Sequence, residues 1–389
     1  MTTATLPAPV WTDRKRYLWL FGAATVSLPF HGYLLAELTG WSVFFWFSPF
    51  FVYVIIPVLD YLVGEDSENP PEEMMPALMR DSYYRYAVMA AIPIQLAVFV
   101  WGGYMAVHGG LNWFEWLGLL VSVGMVSGIA INTGHELGHQ TDPTERWLAK
   151  LSLAPGLYGH FFVEHNRGHH VRVSTPEDPA SSRFGENFYE YYPRCVIGSV
   201  RSAIEIEKAR LAKQGKSFWS WENDLLNAWA MTAVIWGAMI AWLGWIVLPF
   251  MLIQAIYGGA LLEVVNYLEH YGLMRQKKPD GTYERCQPNH SWNSNHVVTN
   301  IFLYHLQRHS DHHAYPTRSY QTLRHFDGLP TLPSGYALMI LIAYVPWLWF
   351  KIMDPKVVAH YQGDMSKANI KPSIREQVLA RFSPKAASA

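Results

Sequence analysis

Cysteine is nearly absent. The chain of 389 residues has two, Cys195 and Cys286, far apart and outside any C-x-x-C pattern. That excludes a disulfide framework, an iron–sulfur domain and a zinc ribbon. The two read as free thiols in a reducing compartment. Charge is scarce as well: 16% of residues are Asp, Glu, Lys or Arg, against about 25% in soluble domains. It is also unevenly placed, with no Lys or Arg from Tyr17 to Met79, from Tyr86 to Glu145 or from Ser217 to Met274. The formal net charge of -1 says nothing about nucleic acid, and no nucleic-acid partner is expected. There is no fixed-period repeat and no low-complexity tract.

Apolar residues fill those gaps. Half the chain is hydrophobic and 15% is aromatic. About 20 mainly apolar residues are needed to cross a bilayer as a helix. Six stretches qualify: Tyr17–Ala36, Trp41–Val63, Tyr86–Val107, Trp113–Thr133, Leu226–Val247 and Leu248–Leu268. Turns near Thr39-Gly40, at Gly109-Gly110-Leu111-Asn112 and at Pro249 join them as three hairpins. The expected fold is all-α: one polytopic membrane domain over 1–389. Spans occupy about 17–133 and 226–268, and polar segments 134–225 and 269–389 form a cap. None of the three turns carries Lys or Arg, whereas the other face holds Arg14, Lys15, Arg16, Arg80 and Arg85. The positive-inside rule then puts the cap and both termini in the cytoplasm, as for a bacterial-type inner-membrane protein. A seventh apolar stretch, Tyr336–Phe350, is broken by Pro346 and is expected to be re-entrant or interfacial. Val196–Gln214 reads as an amphipathic helix on the cap side.

Histidine is concentrated where the spans meet the cap. His135 and His139 follow span four. His165, His169 and His170 lie in GHFFVEHNRGHHVRVSTPED, and His270 ends span six. His309, His312 and His313 follow downstream. Imidazole is a good ligand for first-row transition metals, and histidines three or four residues apart share a helix face. Adjacent histidines point about 100° apart on a helix. The doublets His169-His170 and His312-His313 therefore imply two metals, with four or five histidines each. All nine fall on one face of the membrane, although the topology argument did not use them. Neutral ligands leave a need for carboxylates around them, and Glu136, Glu164, Glu269 and Asp311 adjoin the histidines. Glu263 and Asn266, on the same helix face as His270, and Asp60 near the inner end of span two are candidates for catalytic roles. His305 is the best placed of the remaining histidines. An all-histidine pair of ions in a greasy interior fits oxygen activation by iron better than zinc or copper chemistry.

The motifs HELGH (135–139), EHNRGHH (164–170), NYLEHYG (266–272) and LQRHSDHHA (306–314) resemble the histidine boxes of the membrane-bound alkane 1-monooxygenases. The loop from Gly64 to Glu73 resembles that family too, and the likeness runs from about span one to Leu332. The resemblance implies a non-heme di-iron oxygenase with all nine histidines as iron ligands. Such an enzyme puts one atom of O₂ into the terminal methyl of a medium-chain n-alkane, giving a primary alcohol. It also implies electrons from rubredoxin, reduced by an NADH-dependent reductase. This chain lacks rubredoxin's paired cysteines, so a separate rubredoxin is expected. Arg167, Arg172, Arg183, Arg194 and Arg201 are offered as its docking surface. In this family span two commonly lines the far part of the pocket, which makes Phe51, Val52 and Ile55 candidates for substrate contact. The histidine pattern alone is shared with fatty-acyl desaturases and hydroxylases and with alkylaromatic monooxygenases, which form the alternative.

Overall fold

The computed structural model describes residues 11–382. These are helical, with no strand among the described residues and only isolated bridges such as Phe184 to Ile370. The first expected span is not one helix. It is broken at Val26 and Ser27 into α1 (Leu20–Thr25) and α2 (Leu28–Thr39). Ser27 turns its hydroxyl back onto the Ala24 carbonyl, and Pro29 brings no amide N–H to the next turn.

Next come α3 (Ser42–Val63), α4 (Ser82–His108) and α5 (Trp113–Gly138), all long and apolar enough to cross a bilayer. Asn112 and Glu115 start α5 as a capping box, which fixes where the polar turn ends. A short helical segment, α6, covers 161–172. The amphipathic helix α7 (Phe188–Lys213) begins eight residues before its expected start. Its first turn is set by a second capping box, Asn187 with Glu190. α8 (Asp224–Leu243) and α9 (Trp245–His270) complete the five helices among the described residues that are long and apolar enough to span.

Two short helices follow, α10 (Val297–Phe302) and α11 (His309–Ala314). Last come α12 (Tyr336–Ala343) and α13 (Pro346–His360), an apolar pair bent by 118°. The bend lies at Val345, whose extended backbone is what a following proline imposes. Among the described residues five helices are thus long and apolar enough to cross a membrane, or six if the bent pair counts as one, as in a multi-pass membrane protein. The stretch Tyr336–Phe350 is a broken helix whose second arm runs on to His360.

Two spans carry the centre of the fold. α5 and α9 meet through glycines: a Cβ on Gly128 would stand 2.9 Å from the Gly258 carbonyl oxygen. In a lipid setting, where apolar burial between helices gains little, such small-residue seams let backbones close together. The seam brings the C-terminal ends of both helices, with His135 and His270, to one place. Cys195 and Cys286 are both free and buried.

Candidate metal centre

The nine histidines converge into two groups. His135, His139, His165, His170 and His312 form one, and His169, His270, His309 and His313 the other. Within each group one ligand atom per residue lies within 4.8 Å of all the others. The Nε2 atoms face one another: His135 to His312 at 2.9 Å, His139 to His165 and His165 to His170 at 3.0 Å, His170 to His312 at 3.2 Å. In the second group His309 is 2.8 Å from His313 and 3.3 Å from His270. Two nitrogens each about 2.1 Å from one ion and at right angles would be about 3.0 Å apart. Seven of the nine are buried, and His139 and His170 are half-buried. Burial, and then the neighbouring imidazoles, hold His139, His165, His170, His309, His312 and His313 well below the usual histidine range. They are therefore neutral, with lone pairs to donate. The Nε2 of His169 is buried without a partner. Inward-facing lone pairs that the protein leaves unsatisfied are what a pair of transition-metal ions would fill.

A local distortion sorts the histidines. Residues His165–His169 form a π-helical turn, with the His170 N–H bonded back to the His165 carbonyl. In an ordinary α-helix His170 would lie about 140° around the axis from His165. The wider turn brings it onto the same side, and His165 pairs with His170 rather than with His169. Equal spacing thus leads to different partners: His135 and His139 share a group, as do His309 and His313, but His165 and His169 do not.

The carboxylates are placed less simply. Glu269 turns into the four-histidine group, with Oε2 3.2 Å from His309 Nε2. Glu136 accepts the backbone N–H of Tyr320 (3.1 Å). Glu164 pairs with Arg172 (2.8 Å), and Asp311 with Arg324 (2.9 Å). Sequence reasoning missed Asp178. It is buried, and His169 donates to it from Nδ1 at 2.9 Å, which leaves Nε2 free to face the centre. Nothing in the spacing marks it: Asp178 comes nine residues after His169, beyond the helix, so only the fold joins the two.

Other candidates serve different ends. Glu263 accepts from Tyr158 Oη (2.6 Å), Cys195 Sγ (2.9 Å), Tyr191 Oη and Asn266 Nδ2 (both 3.2 Å). This cluster lies two helical turns before His270. Asp60 accepts the N–H and the hydroxyl of Thr299, and so holds the start of α10. His305 turns away from both groups, with Nδ1 bonded to the Tyr320 carbonyl (2.9 Å). Its backbone, like that of Tyr304, has a φ of 52°. The chain before His309 is therefore not helical, and a shared helix face does not apply to His305.

An apolar cavity is lined in part by residues that precede the histidines on the same segments, though by none of the nine themselves. Val52 and Ile56 of α3, Leu261 and Val265 of α9, and Leu306 help to line it. Phe51 and Ile55 lie outside this lining, because the face that looks inward is Val52 and, four residues on, Ile56. Asn132, three residues before His135, is also part of the lining and donates its amide to the Leu303 carbonyl (2.9 Å).

Four of the five arginines are occupied or partly covered. Arg167 pairs with Glu207 and Asp224, and Arg172 with Glu164. Arg194 pairs with Glu186 (2.7 Å) and donates to the carbonyls of Pro179 and Ser181. Arg183 is half-buried and Arg201 is exposed.

Comparison with known proteins fits this geometry. The fatty acid desaturase family model matches residues 111–343. An alkane 1-monooxygenase of Acinetobacter baylyi is 48% identical over 373 residues, 95% of this chain and 91% of that protein. One from Pseudomonas putida is 45% identical over 375 residues, 96% of this chain and 93% of its own length. A xylene/toluene monooxygenase hydroxylase component of Pseudomonas putida is 27% identical over 271 residues, 68% of this chain and 69% of that protein.

Proposed function

We infer the function from one premise: this chain belongs to the alkane 1-monooxygenases, within the wider fatty acid desaturase family. It is an oxidoreductase that hydroxylates n-alkanes at the terminal methyl. The observation that carries this reading to the residues is the meeting of nine imidazoles, five and four.

We assign one iron ion to each group. His135, His139, His165, His170 and His312 hold the first. His169, His270, His309 and His313 hold the second, with Glu269 as a further oxygen donor to it. Bound there, iron supplies the reductive activation of O₂ and the oxidising power that breaks the C–H bond. The chain's own residues do the rest. Asp178 fixes the tautomer and orientation of His169. The cavity walls, largely apolar, offer an alkane mainly dispersion contacts, so shape and length rather than polar recognition would select which carbon reacts. Medium-chain alkanes are the expected substrates, with Val52 setting the far limit. Glu263 with Asn266, and Asp60, support the fold around the centre through the contacts described above.

Electrons come from a separate rubredoxin, itself reduced by an NADH-dependent reductase. The docking face is the cap, on the cytoplasmic side of the inner membrane along with both termini. Arg201 is the arginine with its charge turned outward.

Membranes holding the protein, given rubredoxin, its reductase, NADH and mixed n-alkanes under isotope-labelled O₂, test the reading. Labelled primary alcohols, lost in His309→Ala, are expected. Unsaturated products, or turnover of acyl chains or alkylbenzenes only, would reassign the reaction within the same di-iron group. The similarity to the xylene/toluene enzyme makes the alkylbenzene a necessary control.

A further inference from the structure

Next to His270 in the chain begins a set of buried, oxidisable rings that belongs to neither histidine group. Tyr271 follows His270 directly in the chain. Its ring centroid lies 5.3 Å from Trp349 and 5.5 Å from Tyr267, and Tyr267 is 5.0 Å from Trp349. All three are fully buried. Their polar ends differ. Tyr267 donates to the Glu186 carbonyl (2.8 Å), which cannot take a proton away. Tyr271 donates to Asp354 Oδ1 at 2.8 Å and accepts the Gly185 N–H at 2.8 Å. Asp354 is half-buried and lines an open groove with Phe350, Lys351 and Arg381. Tyr271 is therefore the phenol of this set with a base at hand and a way from that base to water. A phenol gives up an electron far more readily when its proton leaves for a base in the same step. Packing alone would be met by phenylalanine, as it is at neighbouring Phe184 and Phe188.

We propose that Tyr271, with Tyr267 and Trp349 beside it and Asp354 as proton acceptor, is an exit for oxidising equivalents when O₂ is reduced at the centre with no alkane bound. The inference rests on the oxygenase reading above. In each event Tyr271 gives one electron to the oxidised centre and its phenolic proton to Asp354, leaving a neutral phenoxyl radical. Tyr267 and Trp349 share that hole by exchange of one electron. A small thiol-class reductant in the groove then returns one electron to Tyr271 and is itself oxidised, while Asp354 returns the proton. The histidine ligands are spared the same oxidation.

The test uses the iron-loaded full chain, reduced with dithionite, mixed with O₂ in the absence of alkane and freeze-quenched for electron paramagnetic resonance. The expected result is an organic radical whose spectrum narrows with ring-deuterated tyrosine. It is lost in Tyr271→Phe and formed more slowly in Asp354→Asn, while alkane hydroxylation at saturating substrate is retained in both. Peptide mass spectrometry should find more oxidised histidine in the variants after repeated alkane-free cycles. Should Tyr271→Phe not fold, Trp349→Phe replaces it, with an altered radical decay expected. A signal unchanged in Tyr271→Phe, or no tyrosine radical in protein that does hydroxylate alkanes, overturns the exit route alone. Absence of hydroxylation by the native protein overturns the oxygenase reading, and the exit route with it.

Discussion

Asp178 is the residue on which the four-histidine group leans most visibly. It is buried and accepts from His169 Nδ1, from Ser181 Oγ and from the Ala180 N–H. Loss of such an outer partner typically costs a metal site roughly 10–100-fold in affinity or activity. Asp178→Asn should therefore release iron to a chelator at lower chelator concentration than the native protein, with the loss confined to one ion. Unchanged iron retention would make Asp178 a packing residue only. The convergence of the nine histidines was legible in the sequence because they cluster at helical spacing and because two adjacent doublets demand two directions. Asp178 was not legible, since no periodicity ties a turn residue to a helix. His305 was a candidate by its spacing from His309, and Asp60 as an acidic group near the end of a span. What sequence could not register was a backbone with a φ of 52° at His305, or that the Asp60 carboxylate meets the first turn of a distant helix.

At the scale of elements, α3 presents Val52 and Ile56 to the cavity. Val52→Trp should shorten the longest alkane accepted, while Phe51→Trp should leave the product profile as it was. Gas chromatography of alcohols formed from a mixed-chain substrate separates the two outcomes. Equal effects from both would move the pocket off this face. Four of the six expected spans inside the described residues have close counterparts in α4, α5, α8 and α9, and α3 matches a fifth, because length and hydropathy suffice to mark a straight apolar helix. The sixth, Tyr17–Ala36, is apolar enough but breaks at Val26–Ser27, where local hydrogen bonding overrides composition. The bend between α12 and α13 was announced by Pro346. The π-helical turn at His165–His169 was not announced. Whether a helix widens there depends on what its side chains must meet, and no local propensity records that.

For the whole molecule, the buried histidines gather where the C-terminal ends of the long apolar helices α5 and α9 meet. Arg194 is tied to Glu186 and two carbonyls, so its reversal would test folding rather than docking. Arg201→Glu should instead slow reduction by rubredoxin and flatten the dependence of that rate on ionic strength, with alkane affinity unchanged. Stopped-flow reduction at several salt concentrations measures this, and identical salt profiles would remove Arg201 from the docking face. The most direct measurement of the central claim is a Mössbauer spectrum of the iron-loaded protein beside His135→Ala and His313→Ala. The account predicts two iron environments of equal area, with the first variant losing one and the second losing the other. A single environment in the native protein, or the same loss in both variants, would contradict the division of the nine histidines into two metal sites.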